Sequence, residues 1–200
     1  MKFDINRKLA RIISDVFVPP VNLVFLFLYL AFKFEPDSSS AFETIAIAVL
    51  FGFVFPVAFF VYLRKKKKVV DNDATIKEER TVPYLFGIFL SSLAFGLCVY
   101  FESSMISRFV WITYIVNTAI LIIINKSWKI SAHAIGAASP IGVIFTFNPQ
   151  LALILLIPLA IISWSRIKLG VHTIPQVLAG SAFGLFATYF EIILLTKCFV

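Results

Sequence analysis

Residues 149–176, "PQLALILLIPLAIISWSRIKLGVHTIPQ", decide the fold class of this chain. The segment opens with a run that carries no charged residue, 149–164, and turns polar at Ser165. A second apolar run begins near Ile174 and continues to Leu195. Apolar runs of roughly 20 residues predict helices that cross the hydrocarbon core of a bilayer. The alternation of such runs with short polar segments therefore predicts a membrane protein.

The composition of the whole chain also indicates lipid as its main solvent. Hydrophobic residues make up 60% of the 200 residues and the mean hydropathy is +0.94, whereas soluble domains contain roughly 45–50% apolar residues. The net charge of +7 does not indicate a nucleic-acid partner, because Lys and Arg collect near the cytoplasmic headgroups of membrane proteins. Cys98 and Cys198 are interpreted as isolated small apolar side chains rather than a disulfide framework.

Seven stretches share the apolar composition and the approximate length of a membrane span. They cover residues 16–33, 41–63, 84–101, 109–124, 134–147, 149–164 and 174–195. Only helices and closed barrels satisfy the backbone in lipid, and none of these runs alternates as barrel strands do. We therefore predict an all-α, polytopic transmembrane bundle of six to seven spans, in a single domain over residues 1–200. The first run is too long for the apolar region of a signal peptide, so we expect an uncleaved first span.

Three polar stretches are predicted to meet at one membrane face. They read "KEERTVP" at 77–83, "KISAH" at 129–133 and "SRIKLGVH" at 165–172. Two predicted spans separate each stretch from the next, and an even number of crossings returns the chain to the same side. All Lys and Arg residues except Lys33, Arg108 and Lys197 are assigned to that face. The excess of positive charge places the three stretches in the cytoplasm.

Both histidines of the chain lie in these stretches, each where an apolar helix is predicted to begin. His133 follows Ser131, which is a suitable N-cap, and His172 precedes Thr173, another good N-cap. A helix N-terminus presents unpaired N–H groups and partial positive charge, so it favours a bound phosphate and disfavours an imidazolium. A neutral imidazole at such a position is available as a nucleophile or a base.

Cationic side chains in the same stretches complete a candidate site. Lys77, Arg80 and Arg166 carry donors that hold phosphoryl oxygens and neutralise charge in a transition state. Two histidines and a cationic clamp are the residue types required for metal-free phosphoryl transfer through a histidine intermediate.

Each element of this constellation also has an alternative interpretation. A histidine at a membrane surface is often only an interfacial hydrogen-bonding group, and "KEER" is compatible with a surface cluster of salt bridges. The run "RKKKK" at 64–68 is typical of the flank of a span. Asp71 and Asp73 in "DND" would instead suit a metal-bound diphosphate.

The stretch "SRIKLGVHTIPQVLAG" resembles the third signature of the type-2 phosphatidic acid phosphatase and vanadium haloperoxidase superfamily, S-R-x5-H-x3-D. Ser165, Arg166 and His172 match it, and Gln176 stands where the signature has Asp. "KISAH" is similar to the second signature, P-S-G-H, with Ile130 for Pro and Ala132 for Gly. "KEERTVP" resembles a loosened first signature, K-x6-R-P, with the Lys and the Pro at altered spacing.

The resemblance implies a role for each matching residue. His172 would attack phosphorus, His133 would protonate the leaving oxygen, and Gln176 would orient the nucleophile. The remaining matching residues would bind the phosphoryl oxygens: Lys77, Arg80, Ser131, the backbone N–H of Ala132, and Arg166. No metal and no cofactor would be required.

We therefore expect an integral membrane hydrolase that acts on a lipid phosphate at the bilayer surface. Polyprenyl diphosphate or monophosphate is the first substrate class, and phosphatidic acid or phosphatidylglycerol phosphate is the second. Two alternatives stay open from the sequence. One is a phosphotransferase that uses the same site, and the other is a lipid-binding or transport protein with degenerate signatures.

Overall fold

The computed structural model of the chain describes residues 5–199, which form helices joined by short connections and contain no β-strand. The 3₁₀ turn Lys77–Arg80 precedes α5, and the π-helical turn Leu50–Val54 joins α3 to α4. In chain order, the α-helices are α1 (Ile5–Val16), α2 (Pro19–Phe34), α3 (Ser38–Val49), α4 (Phe55–Lys65), α5 (Thr81–Tyr100), α6 (Met105–Ser127), α7 (Ala132–Phe147), α8 (Pro149–Ile154), α9 (Leu156–Lys168) and α10 (Ile174–Phe199).

The described residues group into two compact units. Unit 1 contains residues 5–22 and 130–193, and unit 2 contains residues 23–129 and 194–199. Each unit thus combines segments that lie far apart in the sequence.

Within residues 5–199, five helical segments are long and apolar enough to cross a bilayer. They are Ser38–Lys65, Lys77–Tyr100, Met105–Ser127, Pro149–Lys168 and Ile174–Phe199. A sixth is reached only if α1 and α2, which form a bent pair, are counted as one span. The prediction of an all-helical fold is confirmed for these residues, and it includes helices long and apolar enough to span a membrane.

The predicted six to seven spans and the five to six that the helix lengths support share only the count of six. The first and fifth predicted spans correspond to α2 and α7, which contain 16 residues each. At 1.5 Å per residue such a helix is about 24 Å long, shorter than the roughly 30 Å of hydrocarbon that a span must cross. The even-crossing count that placed the three polar stretches on one face, and the charge-based choice of the cytoplasmic side, therefore stay predictions.

Helix α7 is the buried centre of unit 1. Every residue from Ala134 to Ile144 is buried, so the helix has no lipid-facing stripe. A helix that is apolar on all sides is typical of a core position.

Helices α7 and α10 approach each other closely enough for their backbones to touch. A Cβ placed on Gly184 of α10 would lie 2.6 Å from the carbonyl oxygen of Ile135, and one on Gly180 would lie 2.8 Å from that of Ser131. The two glycines are four residues apart and therefore share one face of α10. Small residues at this spacing permit close helix packing in membranes.

Proline residues explain two breaks in the helices. Pro158 lacks the N–H that would bond to the carbonyl of Ile154, and the chain makes a turn at Leu155 between α8 and α9. In unit 2, Pro56 follows the π-helical turn, where the N–H of Phe55 donates to the carbonyl of Leu50. A widened turn of this kind relieves the clash of a proline ring with the preceding turn.

The core of unit 2 contains stacked aromatic rings. Phe27 of α2 and Trp111 of α6 are fully buried, with ring centroids 4.8 Å apart. A Cβ on Gly52 would lie 2.6 Å from the side chain of Leu23, so the π-helical turn also packs directly against α2.

Candidate functional site

The third polar stretch forms the turn between α9 and α10. Gly170 adopts a left-handed conformation with φ of 73° and its N–H donates to the carbonyl of Ile167 at 2.9 Å, which ends α9 in the usual way for a glycine. The chain then folds back, and the N–H of His172 donates to the carbonyl of Arg166 at 3.4 Å. His172 is buried, with 6% of its surface exposed.

Gln176 holds the start of α10. Its side-chain Oε1 accepts from the backbone N–H of Thr173 at 3.1 Å, one residue before the helix begins at Ile174. This is the return half of a capping box, in which the third helical residue satisfies the N–H of the N-cap. The predicted N-cap at Thr173, directly before the first helical residue Ile174, agrees with this geometry.

The same oxygen of Gln176 lies 3.1 Å from Nδ1 of His172. A backbone N–H can only donate, so the Gln176 atom that faces Thr173 must be the oxygen and not the amide nitrogen. That oxygen can only accept, so in a neutral imidazole Nδ1 carries the proton and Nε2 carries the lone pair. The contact with Gln176 therefore favours the tautomer of His172 that is protonated at Nδ1.

Arg166 lies in the last turn of α9 and is fully buried. Its Nη1 donates to Oγ of Ser14, a buried residue of α1. Removing a guanidinium from water is costly unless hydrogen bonds or an anion compensate it, so Ser14 supports the charge in place. Sequence reasoning missed Ser14, because it lies 152 residues from Arg166 and no motif marks it.

The second polar stretch forms the start of α7. Ser131 is fully buried, and its Oγ accepts from the N–H of Ala134 at 3.3 Å, as predicted for an N-cap. The N–H of Ser131 donates to the backbone carbonyl of Gln176 at 3.3 Å, so the starts of α7 and α10 are joined directly. Ala132 and His133 follow as the first two residues of α7.

A continuous series of contacts thus connects the predicted residues of unit 1. Ser14 contacts Arg166, Arg166 contacts His172, and His172 contacts Gln176. Gln176 in turn contacts Ser131. The series includes both helix starts that carry the histidines of the chain.

Lys77 belongs to unit 2, where its ammonium group caps a helix. Its Nζ donates to the carbonyl of Lys126 at 2.7 Å in the last turn of α6, and it lies 3.8 Å from the carboxylate of Glu78. A cation is favourable at a helix C-terminus because the last carbonyls carry partial negative charge. Lys77 therefore stabilises the end of α6.

Arg80 also belongs to unit 2 and is buried, with 3% of its surface exposed. Its Nε donates to the carbonyl of Ala74 at 2.7 Å, and Ala74 adopts a left-handed conformation with φ of 43°. The contact holds the loop before α5 in its bent form. The structure therefore gives Arg80 a local role within this loop.

The "DND" segment has a structural use in the same loop. Oδ1 of Asp71 accepts from the N–H groups of Asp73 and Thr75 at 2.8 and 3.1 Å, and Oδ2 accepts from the hydroxyl of Thr75. A carboxylate that accepts from its own loop in this way forms a turn. Among residues 5–199, no group of three or more His, Cys, Asp or Glu side chains is placed to hold a metal ion.

Comparisons with known proteins gave no relative: no family model, no curated protein and no solved structure matches the chain.

Proposed function

We propose that this chain is a membrane phosphatase that hydrolyses a lipid phosphate or diphosphate through a phosphohistidine on His172. The observation that carries the proposal is the position of Gln176 Oε1, which lies 3.1 Å from both Thr173 N and His172 Nδ1. A nucleophile whose second nitrogen is held by a third group is the arrangement that activated histidines require. The resemblance to the type-2 phosphatidic acid phosphatase signatures points in the same direction.

The reaction proceeds in two steps. In the first, Nε2 of His172 forms a bond to the terminal phosphorus, and the bond from this phosphorus to the leaving oxygen breaks. The leaving oxygen is that of the lipid alcohol in a monophosphate and the bridging oxygen in a diphosphate, and His133 gives its proton to it. In the second, His133 takes a proton from water, the water oxygen bonds to phosphorus, and the bond to Nε2 breaks. The products are the lipid alcohol, or the lipid monophosphate from a diphosphate, and inorganic phosphate.

The buried cation and the helix starts stabilise the transferred group. Arg166 offers a planar set of N–H donors that suits phosphoryl oxygens. Ala132 is the first residue of α7, where a helix leaves its N–H without an intrahelical acceptor, and Ser131 lies beside it. Lys77 and Arg80 stay predicted phosphate-binding residues on the resemblance alone, and within unit 2 they donate to the end of α6 and to the loop before α5.

Gln176 distinguishes this site from the signature that it resembles. An amide oxygen fixes the tautomer of His172 as a carboxylate would, but it is neutral and stabilises a developing imidazolium less. We infer a slower enzyme with the same chemistry. Polyprenyl diphosphate or monophosphate is the preferred substrate class, and phosphatidic acid or phosphatidylglycerol phosphate is the second.

Phosphate release in detergent with EDTA, across a panel of these lipid phosphates, tests the proposal. We expect release by the native protein, none above background for His172→Ala, and strong loss for His133→Ala and Arg166→Ala. Lys168→Ala is the matched control, since this cation is exposed in the same turn and has no role in the mechanism. Release that persists in His172→Ala would exclude the phosphohistidine, and release abolished by EDTA would favour a metal at Asp71 and Asp73.

A lipid-phosphate binding protein without catalysis is the second proposal. The contacts of Lys77 and Arg80 within unit 2 favour it, because they give both cations a structural reason to be present. This reading predicts that the purified protein retains lipid phosphates yet releases no more phosphate than His172→Ala.

A further inference from the structure

Helix α1 presents a stripe of large apolar side chains that remain exposed in the structure. Ile5, Leu9, Ile12 and Val16 are 75%, 49%, 52% and 52% exposed. Their spacing of four, three and four residues places them within one narrow sector of a helix with 3.6 residues per turn. Isolated exposed aliphatic residues are ordinary, but four in one stripe mark a contact surface.

The opposite face of α1 is the one that packs against the protein. Ala10 and Ser14 are buried there, and Ser14 accepts the hydrogen bond from Arg166 of α9. The orientation of α1 about its own axis is therefore fixed by unit 1, and the apolar stripe must point away from it.

Charged residues fill the sector between these two faces. It contains Arg7, Lys8, Arg11 and Asp15, all exposed or half-exposed. Arg11 and Asp15 form an ion pair at 3.4 Å. Three basic residues and one acidic residue give this side of the helix a positive charge.

Two simple placements conflict with these three faces. In the bilayer centre, each Lys, Arg or Asp of the charged sector would cost roughly 2.5–3.5 kcal/mol, so α1 is a poor first half of a span. In bulk water, the apolar stripe would remain uncovered. An interfacial position places the stripe in lipid and the charges among headgroups and water.

We propose that α1 is an interfacial helix that docks on an anionic lipid surface. Its apolar stripe enters the boundary between headgroups and acyl chains, and the side that carries Lys8 faces anionic headgroups. Charge complementarity selects this partner, and lipid is already adjacent because the apolar helix α2 begins only three residues after α1 ends. The proposal goes beyond the phosphatase proposal and does not depend on it.

The arrangement has a consequence for the candidate site. The same helix that contacts lipid on one face holds Arg166 through Ser14 on the other. Docking of α1 therefore fixes the height of this arginine relative to the lipid headgroups.

Nitroxide scanning of the full-length chain in lipid nanodiscs tests the placement. Cys198, which is exposed, is replaced by Ser, and a single label is introduced at Leu9, Ile12, Lys8 or Asp15. We expect labels at 9 and 12 to collide with oxygen and to be shielded from a water-soluble nickel complex, at a depth of about 5–10 Å. Labels at 8 and 15 should show the reverse pattern.

A label at Phe25 is the matched control, because this side chain is 58% exposed on the apolar helix α2 and should lie deeper than positions 9 and 12. With anionic phosphatidylglycerol in place of phosphatidylcholine, we expect position 12 to move deeper, and Lys8→Glu should remove that response.

Four results would overturn the proposal. Nickel access at all four α1 positions would indicate a helix in water, and oxygen access without nickel access at all four would indicate a helix within the bilayer. Dipolar broadening between labels at position 9 would indicate a contact with a second copy of the chain. An equal depth of position 12 in both lipids would exclude an anionic partner.

Discussion

Adding one methyl group at Gly184 tests whether α7 and α10 are in backbone contact. In Gly184→Ala the new Cβ would lie 2.6 Å from the carbonyl oxygen of Ile135 and 3.0 Å from the Cα of Ile135. It would also lie 3.1 Å from the Cβ of Ala138. Ordinary carbon contacts lie at about 3.5–4.0 Å, so the two helices must separate by about 1 Å. Two of the three atoms belong to the backbone and cannot rotate away.

The size of the effect is obtained by comparison with Gly96→Ala in α5. No atom lies within 4 Å of a Cβ built at Gly96, so this change adds only the helix propensity of alanine, about 0.8–1.0 kcal/mol. Gly184→Ala adds the same propensity and an overpacking cost of about 1–3 kcal/mol. We expect the upper part of that range, because the contacts are with backbone atoms. The two variants should therefore differ by about 2–3 kcal/mol in free energy of unfolding.

The assay is reversible unfolding of the purified protein in mixed detergent, followed by circular dichroism as the fraction of sodium dodecyl sulfate rises. Gly184→Ala should unfold at a lower fraction than the native protein, and Gly96→Ala at an equal or higher one. Because α7 and α10 carry both histidines at their starts, Gly184→Ala should also reduce phosphate release. Equal stability of the two variants would refute the close approach of α7 and α10.

Three further changes have defined outcomes. Gln176→Leu should abolish most phosphate release, because it removes the acceptor that orients His172, whereas Gln176→Glu keeps an acceptor there and should retain release at the same pH. Ser14→Ala should lower kcat/KM roughly tenfold to hundredfold, since a hydrogen bond to a charged group contributes about 1.5–3 kcal/mol; an unchanged kcat/KM would separate α1 from the site. The hydrogen bond from the backbone N–H of Ser40 holds the pKa of Asp37 below its ordinary value of 3.8. The Asp37 carboxylate therefore stabilises α3 fully above pH 3.8, and this stabilisation is lost as the pH falls through the lowered pKa of the folded state. The variant Asp37→Asn keeps a capping oxygen but has no carboxylate, so its acid unfolding should lack this pH-dependent loss of stability. Identical acid unfolding profiles of the native protein and the variant would contradict the role of Asp37.

The local part of the candidate site was within reach of sequence reasoning. Arg166, His172, Thr173 and Gln176 lie within eleven consecutive residues, and their hydrogen bonds are those of one helix end and one helix start. Rules for glycine termination and for capping operate at this range. The predicted helix starts at Ser131 and Thr173 followed from the same rules.

The contacts of Lys77 and Arg80 could not be predicted from the charge pattern. Their charge and their place at a predicted membrane face indicated phosphate binding. The structure adds hydrogen bonds to the carbonyls of Lys126 and Ala74, which no charge pattern indicates. A Lys or Arg side chain can stabilise a helix end or a bent loop as well as bind an anionic ligand.

Hydropathy predicted helices apolar enough to cross a membrane but could not separate exposed from buried apolar residues. Helix α7 has the composition of a span and yet is buried on all sides between Ala134 and Ile144. Conversely, α1 belongs almost entirely to the residues before the first predicted span, although it has a buried face, a charged sector and an exposed apolar stripe. Whether an apolar side chain is buried or exposed depends on the helices that pack around it and not on the composition of its own segment.

The sequence by itself determined that this chain carries helices long and apolar enough to cross a membrane, because runs of roughly 20 apolar residues match the thickness of the hydrocarbon core. It also determined the turn that brings His172 over the end of α9, since that turn is built from adjacent residues. Only the tertiary structure decided the partner of Arg166, the burial of α7 and the contact of α7 with α10. These depend on pairs of residues as far apart as Ser14 and Arg166, and a pattern within one segment carries no information about its distant neighbours.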